Sequence, residues 1–250
     1  MRTKLLWLGL AVAIVARPQT ANQRLPVLVE LFTSEGCSSC PPADVLLAKL
    51  DEMQPVPEAR VIVLSEHVTY WDHDGWRDPY SLDAVTDRQQ WYEDKFKLND
   101  VYTPQAVVDG AAQMLGSDAT KLVKAVAAAA AEPKQEIAIT GATWAGNEVR
   151  FSVHDTATTV DKSKQTFVAA LAEDETETSV KSGENAGKHL RNVAVVRVLK
   201  EFSPGTEGEI ALKVPSDVDK NQAEQMRLVV FLADKRSGHV LGISQQKVAR

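Results

Sequence analysis

The sequence predicts an α/β domain followed by a small all-β domain. After its first residues, the chain reads as a buried strand, a turn, a helix and a second buried strand, which is typical of a βαβ unit. From residue 135 onward, strand-like runs follow at a spacing of roughly ten residues with no helix between them. The predicted domains therefore span residues 26–132 and 135–250.

The N-terminal segment is predicted to be a signal peptide, residues 1–21. Two basic residues precede an apolar run, residues 5–15, which is too short to span a bilayer comfortably. Cleavage is expected after Ala16 or Ala21, and the alternative is an uncleaved anchor. We therefore expect a periplasmic or secreted protein, in a compartment where disulfides persist.

Composition narrows the classes of partner. The chain has 250 residues and a net charge of −6, so it has no basic footprint for nucleic acid. The sequence predicts no cofactor, and membrane contact only through an uncleaved signal segment. Protein thiols or disulfides, or a redox partner protein, are the expected partners.

The elements of the first half follow from apolar patterning and from breakers. Residues 27–33 and 61–65 are predicted strands, with a helix at 44–50 between them. A second helix is expected from Ser81, capped by Ser81 or Asp83, within an aromatic-rich helical insertion. Further expected elements are strands at 106–108 and 113–115 and a helix at 121–131, capped by Ser117.

The second half is predicted to be a small β-sandwich. A Gly-Asn turn, Gly146-Asn147, joins its first two strands into a hairpin, and residues 234–238 form the loop of its last hairpin. The remaining strand-like runs are 166–172, 192–198, 209–214, 227–233 and 239–244.

The two cysteines of the chain form a Cys-X-X-Cys motif, Cys37 to Cys40, between the first strand and the first helix. A helix N-terminus stabilises a thiolate, so Cys37 is the expected attacking thiol and Cys40 the resolving one. As a mere staple, a cross-link closing four residues would contribute only about 2 kcal/mol.

The motif resembles the thioredoxin-like superfamily over about residues 26–131. The resemblance rests on Cys37-Ser38-Ser39-Cys40 after a strand and on Thr103-Pro104 before a later strand. It implies a cis-proline at Pro104 that faces the dithiol, with Thr103 beside it binding substrate backbone. Ser38-Ser39 departs from the usual glycine-proline pair, and Pro41 disfavours a helical Cys40, so the regular helix is expected to begin at Pro41.

A wider resemblance covers nearly all of the mature chain. The segments ELFTSEGCSSCPPAD, SEHVTYWDHDGWRDPYS, YTPQAVVDG and GENAGKHLRNVAVVR together resemble the exported bacterial domain-of-unknown-function family 1223. This resemblance implies a thioredoxin-like fold and supplies no substrate.

Three further side chains are candidates near the dithiol. Glu30, a charge in an apolar strand, is a possible proton acceptor; the alternative is a solvent-facing carboxylate or one paired with a lysine. Trp71 and Trp76 either line a substrate groove or fill a small satellite core.

The best hypothesis is an enzyme, an exported thiol–disulfide oxidoreductase whose direction of electron flow the sequence does not fix. One alternative is a copper- or zinc-binding protein or metallochaperone that uses Cys37, Cys40 and a nearby histidine, with His67 and His73 as the candidates; otherwise both histidines are solvated loop residues. Another is a binding module with an inert disulfide.

Overall fold

A computed structural model describes residues 24–155, 162–205 and 208–250, so the predicted signal peptide lies outside the described residues. The helices are α1 Pro41–Met53, α2 Asp83–Phe96 and α3 Ala119–Ala129. The strands are β1 Leu25–Thr33, β2 Ala59–His67, β3 Gln105–Val108, β4 Ala112–Leu115, β5 Ile137–Ala145, β6 Glu148–Asp155, β7 Gln165–Ser179, β8 His189–Phe202, β9 Ile210–Lys213, β10 Met226–Asp234 and β11 Val240–Lys247. Within the described ranges, no helix is long and apolar enough to cross a membrane.

The predicted βαβ unit is confirmed. β1 pairs parallel with β2, and α1 connects them. Leu47 and Leu50 of α1 pack in one core cluster with Val29 and Leu31 of β1. α1 begins at Pro41 as predicted, because proline is well tolerated in the first turn, where its missing N–H has no helical partner.

Two predicted helix caps were wrong. α2 begins after Leu82 without a side-chain cap, because the Ser81 hydroxyl donates instead to Asp72. α3 is capped by Asp118 rather than Ser117, and its carboxylate accepts the Lys121 N–H at 3.0 Å. Each error is a shift of one residue: at α2 the expected hydroxyl is bonded elsewhere, and at α3 the neighbouring Asp118 takes the backbone N–H.

One eight-stranded sheet runs through the molecule, in the order β11-β10-β7-β8-β2-β1-β3-β4. β1 pairs antiparallel with β3, and β3 with β4, while β8 joins β2 in parallel at Val195 and Ser65. The predicted α/β class is therefore confirmed as a mixed α/β fold with a large sheet and few helices.

The predicted all-β half contributes to two sheets. The Gly146-Asn147 hairpin is confirmed, and β5, β6 and β9 form a three-stranded sheet whose apolar side chains pack with those of β7 and β10. Strands from both sides of residues 132–135 nevertheless share the large sheet. A separate second domain with a boundary there stays a prediction.

The long ribbon of β7 and β8 projects beyond the sheet. β7 pairs with β10 only as far as Glu173, and β8 meets β2 at Val195. Between these points, residues 174–194 form an arm, and its hairpin end, residues 180–188, is called the tip. A positive φ of 51° at Ala194 marks the bend at the base of the arm, beside a register shift between β7 and β8.

A buried ion pair ties the two halves of the chain together. Lys134 Nζ lies 2.8 Å from Asp109 Oδ2 and donates to the carbonyl of Val240 at the same distance. Asp109 also accepts the Leu28 N–H at 2.8 Å.

Gly110 lies so close to the last hairpin loop that an added Cβ would be 2.0 Å from the Gly238 oxygen, so only glycine fits there.

Replacing Lys134 with Met should destabilise the protein by about 3 kcal/mol, because it leaves the Asp109 carboxylate buried without its cation. Urea denaturation measures the change. Lys121→Met is the matched control: its ammonium pairs with Asp118 on the surface, so we expect a loss below about 1 kcal/mol. Equal losses for the two variants would mean that the buried pair does not hold the junction.

Candidate active site

The two cysteines lie at the N-terminus of α1. Cys37 and Cys40 are disulfide-bonded, with 2.12 Å between the sulfurs and 5.4 Å between the Cα atoms. Cys40 is the N-cap residue, and its carbonyl accepts the N–H groups of Ala43 and Asp44. The expectation that Pro41 keeps Cys40 out of the helical region was wrong, since Cys40 has φ −78° and ψ −38°. The disulfide therefore lies at the positive end of the helix dipole.

Burial distinguishes the cysteines from the residues between them. Cys37 and Cys40 are both 0% exposed, whereas Ser38 and Ser39 are exposed. Ser39 Oγ lies 3.4 Å from Cys37 Sγ. A hydroxyl is thus in place to donate to a thiolate at Cys37, which would favour its charged form.

Both predicted tryptophans contact the turn that leads into the disulfide. An added Cβ on Gly36 would lie 3.1 Å from Trp71 Cβ, so the two residues touch. Trp71 Nε1 donates to Thr103 Oγ1 at 2.8 Å, and Trp76 Nε1 donates to Glu35 Oε2 at 3.0 Å. The structure therefore brings both indoles and Thr103 to this turn.

The Thr103-Pro104 peptide is cis, as predicted. Gly116 lies against both Pro104 and the first turn of α1: an added Cβ on Gly116 would lie 3.3 Å from both Ala43 Cβ and Pro104 Cβ. The proline is thus near the element that carries the disulfide. Its part in binding substrate stays a prediction.

A buried carboxylate lies one helical turn after the disulfide. Asp44 accepts the Thr33 hydroxyl at 2.8 Å, and both residues are buried. Burial raises the pKa of Asp44 to about 7, although His67 and the Thr33 hydrogen bond oppose the shift. Residues four apart share one helix face, so Asp44 lies on the side of Cys40.

A buried histidine–aspartate pair, His67 and Asp78, contacts the backbone of the turn that leads into the disulfide. His67 Nδ1 lies 2.7 Å from Asp78 Oδ2, and Asp78 also accepts the Glu35 N–H at 2.8 Å. Burial alone would lower the pKa of His67, but Asp78 outweighs it and the pKa is raised. In return, His67 overcomes burial and lowers the pKa of Asp78. Each partner therefore favours the charged form of the other, and Asp78 also holds the backbone of the turn through the Glu35 N–H.

The tip of the arm is hydrogen-bonded to the turn that carries Cys37. Asn185 Nδ2 donates to the carbonyls of Glu35 at 2.8 Å and Cys37 at 2.9 Å. The Ser38 N–H donates to Glu184 Oε2 at 3.3 Å. The second half of the chain thus supplies part of the wall around the disulfide.

The family model described as "Protein of unknown function (DUF1223)" matches residues 28–233. The chain belongs to the DUF1223 family. The crystal structure of protein AGR_C_4864 from Agrobacterium tumefaciens is similar, with a TM-score of 0.64 and 26% identity over 90% of this chain and 95% of that chain. No curated protein matches the sequence.

A crystal structure of a domain of the outer membrane lipoprotein Omp28 from Porphyromonas gingivalis also matches, at 17% identity over 47% of this chain and 97% of that chain. Its TM-score of 0.28 is too low to indicate a shared fold.

In this DUF1223 protein, Glu30 does not lie on the same side of the sheet as the cysteines. Side chains alternate along β1, so Glu30 lies on the face of the sheet opposite to α1. There it is fully buried, bonded to Arg88 and to the Tyr92 hydroxyl, which donates at 2.6 Å. Neither alternative for Glu30, solvent or a lysine partner, describes this site. Asp44, four residues after Cys40, is the buried carboxylate on the α1 side of the sheet.

The residues of the metal alternative are dispersed. His67 is buried and bonded to Asp78, whereas His73 is exposed. In the described part of the chain, no group of three or more His, Cys, Asp and Glu residues is arranged to hold a metal ion.

Sequence reasoning missed the roles of Asp44 and Asn185. The one sequence signal for Asp44 is its spacing of four from Cys40, which places it on the same side of the helix as the cysteine. Asn185 stands in the segment GENAGKH, which was noted for its family resemblance, but no local pattern connects it with residues 148 positions earlier.

Asp44 should make the stability of this DUF1223 protein fall as pH rises. Its pKa is about 7 in the folded protein and about 3.9 in the unfolded chain, so the folded state binds the extra proton between pH 4 and 7. Asp44→Asn, which cannot ionise, should become more stable relative to wild type across this window, by up to about 4 kcal/mol. Urea denaturation of the oxidised proteins at several pH values measures this. A pH-independent difference would contradict the raised pKa.

The indoles should report the redox state of the cysteines. A disulfide quenches indole emission at short range, so reduction should raise tryptophan fluorescence without unfolding. Replacing Trp71 and Trp76 together with Phe should abolish most of this change and reduce stability only modestly. Trp144→Phe, in β5, is the control and should leave the change intact. A full change in the double variant would show that the two indoles are not the reporters.

Proposed function

We propose that this DUF1223 protein is an exported thiol–disulfide oxidoreductase with a thioredoxin-like first half. The observation that carries the proposal is a Cys37–Cys40 disulfide at the start of a βαβ helix, with the cis-proline Pro104 near the first turn of the same helix, on the other side of Gly116. The antiparallel pair β3 and β4 follows that proline. This is the arrangement that the resemblance to thioredoxin-like proteins implies.

Cys37 is the attacking thiol in this proposal. It lies in the turn before α1, where the helix dipole and the Ser39 hydroxyl both favour a thiolate. Cys40 is the N-cap of α1, held by hydrogen bonds to its carbonyl, and so it is the resolving cysteine.

The exchange balances as a two-electron transfer. A thiolate of the partner attacks Cys37 Sγ, the Cys37–Cys40 bond breaks, and Cys40 leaves as a thiolate. A second thiolate of the partner then attacks the partner sulfur of the mixed disulfide and releases Cys37. The partner is oxidised to a disulfide and the protein is reduced to a dithiol; the reverse sequence oxidises the protein.

Asp44 is the proton acceptor and donor for Cys40. With a pKa of about 7, its carboxyl group carries a proton on about half of the molecules at neutral pH. It can therefore protonate the departing Cys40 thiolate and later take the proton back. A buried thiolate next to a permanently ionised carboxylate would be unfavourable, so the raised pKa suits this role.

Export follows from the signal peptide that the sequence predicts. A periplasmic or secreted location supplies an oxidising environment in which Cys37 and Cys40 would rest as a disulfide. The proposed partner is a protein thiol or disulfide.

Complete burial of both cysteines favours a second candidate, a binding module with an inert disulfide. A disulfide that no thiolate reaches exchanges slowly, whatever its position on a helix. Trapping an exchange intermediate separates the two candidates.

In the Cys40→Ser variant, Cys37 should form a stable mixed disulfide with glutathione disulfide, because the resolving thiol is gone. Mass spectrometry of the intact protein detects the adduct, and reduced wild type should instead proceed to its internal disulfide. Cys37→Ser is the control, in which Cys40 should react much more slowly. If neither single-cysteine variant reacts, the inert-disulfide candidate is correct; if Cys40 reacts faster, the two roles are reversed.

A further inference from the structure

We propose that the tip of the β7–β8 arm is a displaceable cap on the disulfide, and that an extended polypeptide carrying a cysteine takes its place. The inference rests on the proposed function, because it names the kind of partner that the Cys37–Cys40 site accepts. The tip, residues 180–188, belongs to the second half of the chain.

The tip meets the turn that carries Cys37 through polar side chains. Asn185 is completely buried, and its amide nitrogen donates to two carbonyls of the turn. Lys188 Nζ donates to Asn185 Oδ1 at 2.8 Å and so fixes the orientation of the amide. Glu184 accepts the N–H of Ser38 on the same turn.

The loop that carries the tryptophans holds the tip in place. Ser182 Oγ donates to the Gly75 carbonyl at 2.5 Å. An added Cβ on Gly183 would lie 3.0 Å from Trp76 Cβ, and Gly183 has a φ of +75°. The close approach therefore requires glycine at this position.

The side chains of the tip are hydrogen-bonded to main-chain groups of the turn that carries Cys37. Two carbonyls, of Glu35 and Cys37, and one N–H, of Ser38, are paired with side chains of the tip. The Cys37 carbonyl also accepts the Cys40 N–H at 3.2 Å. When the tip leaves, the Glu35 carbonyl and the Ser38 N–H lose their partners and the Cys37 carbonyl keeps only the Cys40 N–H, so a new donor and acceptor are favoured there. An extended polypeptide presents N–H and C=O groups along its edge, and it is the partner that matches this set.

Access to sulfur requires such a displacement. Attack on a disulfide needs a thiolate in line with the S–S bond, but Cys37 and Cys40 are both 0% exposed. The tip offers little resistance, because most of its residues are exposed and only Val180 and Asn185 are buried. Local opening of such a segment costs less than unfolding the domain.

The test measures how fast the oxidised protein is reduced by dithiothreitol, by a ten-residue peptide with one central cysteine, and by the same peptide N-methylated at the residues flanking that cysteine. Asn185→Asp keeps the shape of the side chain and removes both donated hydrogen bonds. We expect it to be reduced roughly tenfold faster by dithiothreitol. Asn99→Asp, at an exposed site in the loop after α2, should match wild type.

The peptides test the identity of the occupant. The unmodified peptide should form its mixed disulfide with the wild type several-fold faster than the N-methylated peptide, because only the former donates N–H groups to the vacated carbonyls. Glu184→Ala, an exposed change that does not threaten folding, should accelerate reduction by dithiothreitol about two- to threefold.

Equal dithiothreitol rates in wild type, Asn185→Asp and Glu184→Ala would overturn the cap. Equal rates for the two peptides would overturn the polypeptide occupant. The proposed function fails separately: the Cys40→Ser, Asn185→Asp double variant, in which the cap is weakened, would form no mixed disulfide with glutathione disulfide.

Discussion

The parallel contact between β8 and β2 is the constraint on which the rest of the structure depends. It joins the strands of the second half to the sheet of the first half. The arm begins next to this contact, which pairs Ser65 with Val195. Val193 and Ala194 at the base of the arm pack in the core cluster beneath α1. Because α1 also carries the disulfide at its N-terminus, one helix fixes both the cysteines and the direction from which the arm approaches them.

Electrostatics impose a second constraint at the same end of the sheet. Asp44, Asp78 and Glu35 are all buried close to His67, and one imidazolium cannot neutralise three carboxylates. The charge of His67 goes to Asp78, whose pKa is lowered, while burial raises the pKa of Asp44 and Glu35. The cluster therefore contains one ion pair, whose partners favour each other's charged form, and two carboxyl groups whose pKa values are raised by burial.

A comparable division of charge occurs on the opposite face of the sheet. Glu30 takes the guanidinium of Arg88, and the neighbouring Glu66, buried without a hydrogen-bond partner, has a pKa raised well above its ordinary value by burial and by Glu30. This cluster lies on the face of the sheet opposite to the cysteines, so we interpret it as part of the structural core.

Local signals in the sequence were sufficient for the βαβ unit and the Cys-X-X-Cys turn. The run of apolar residues in β1 and the prolines after Cys40 act over a few positions, and the family resemblance added Thr103-Pro104. Contacts between distant segments were out of reach. Nothing near residue 30 shows whether Glu30 faces α1 or α2, because a strand buried on both faces has no polar alternation to fix its orientation.

The same limitation concealed the arm. Residues 166–172 and 192–198 were recognised as strands, yet their extension into a ribbon of 15 and 14 residues depends on pairing with each other, which composition does not encode. Asn185 could be identified only once that ribbon had been placed over α1.

Contacts weaken along the arm from its base to its tip. Apolar side chains at the base are buried in the core, whereas the tip is held mainly by hydrogen bonds from polar side chains to backbone carbonyls and one N–H. A net contribution of about 1 kcal/mol per hydrogen bond makes the tip the weakest part of the wall around the disulfide. The base can therefore remain packed while the tip opens. A structural staple needs no such gradient. The gradient supports the proposed exchange with one class of partner, because a fully exposed disulfide would be open to attack by any thiol.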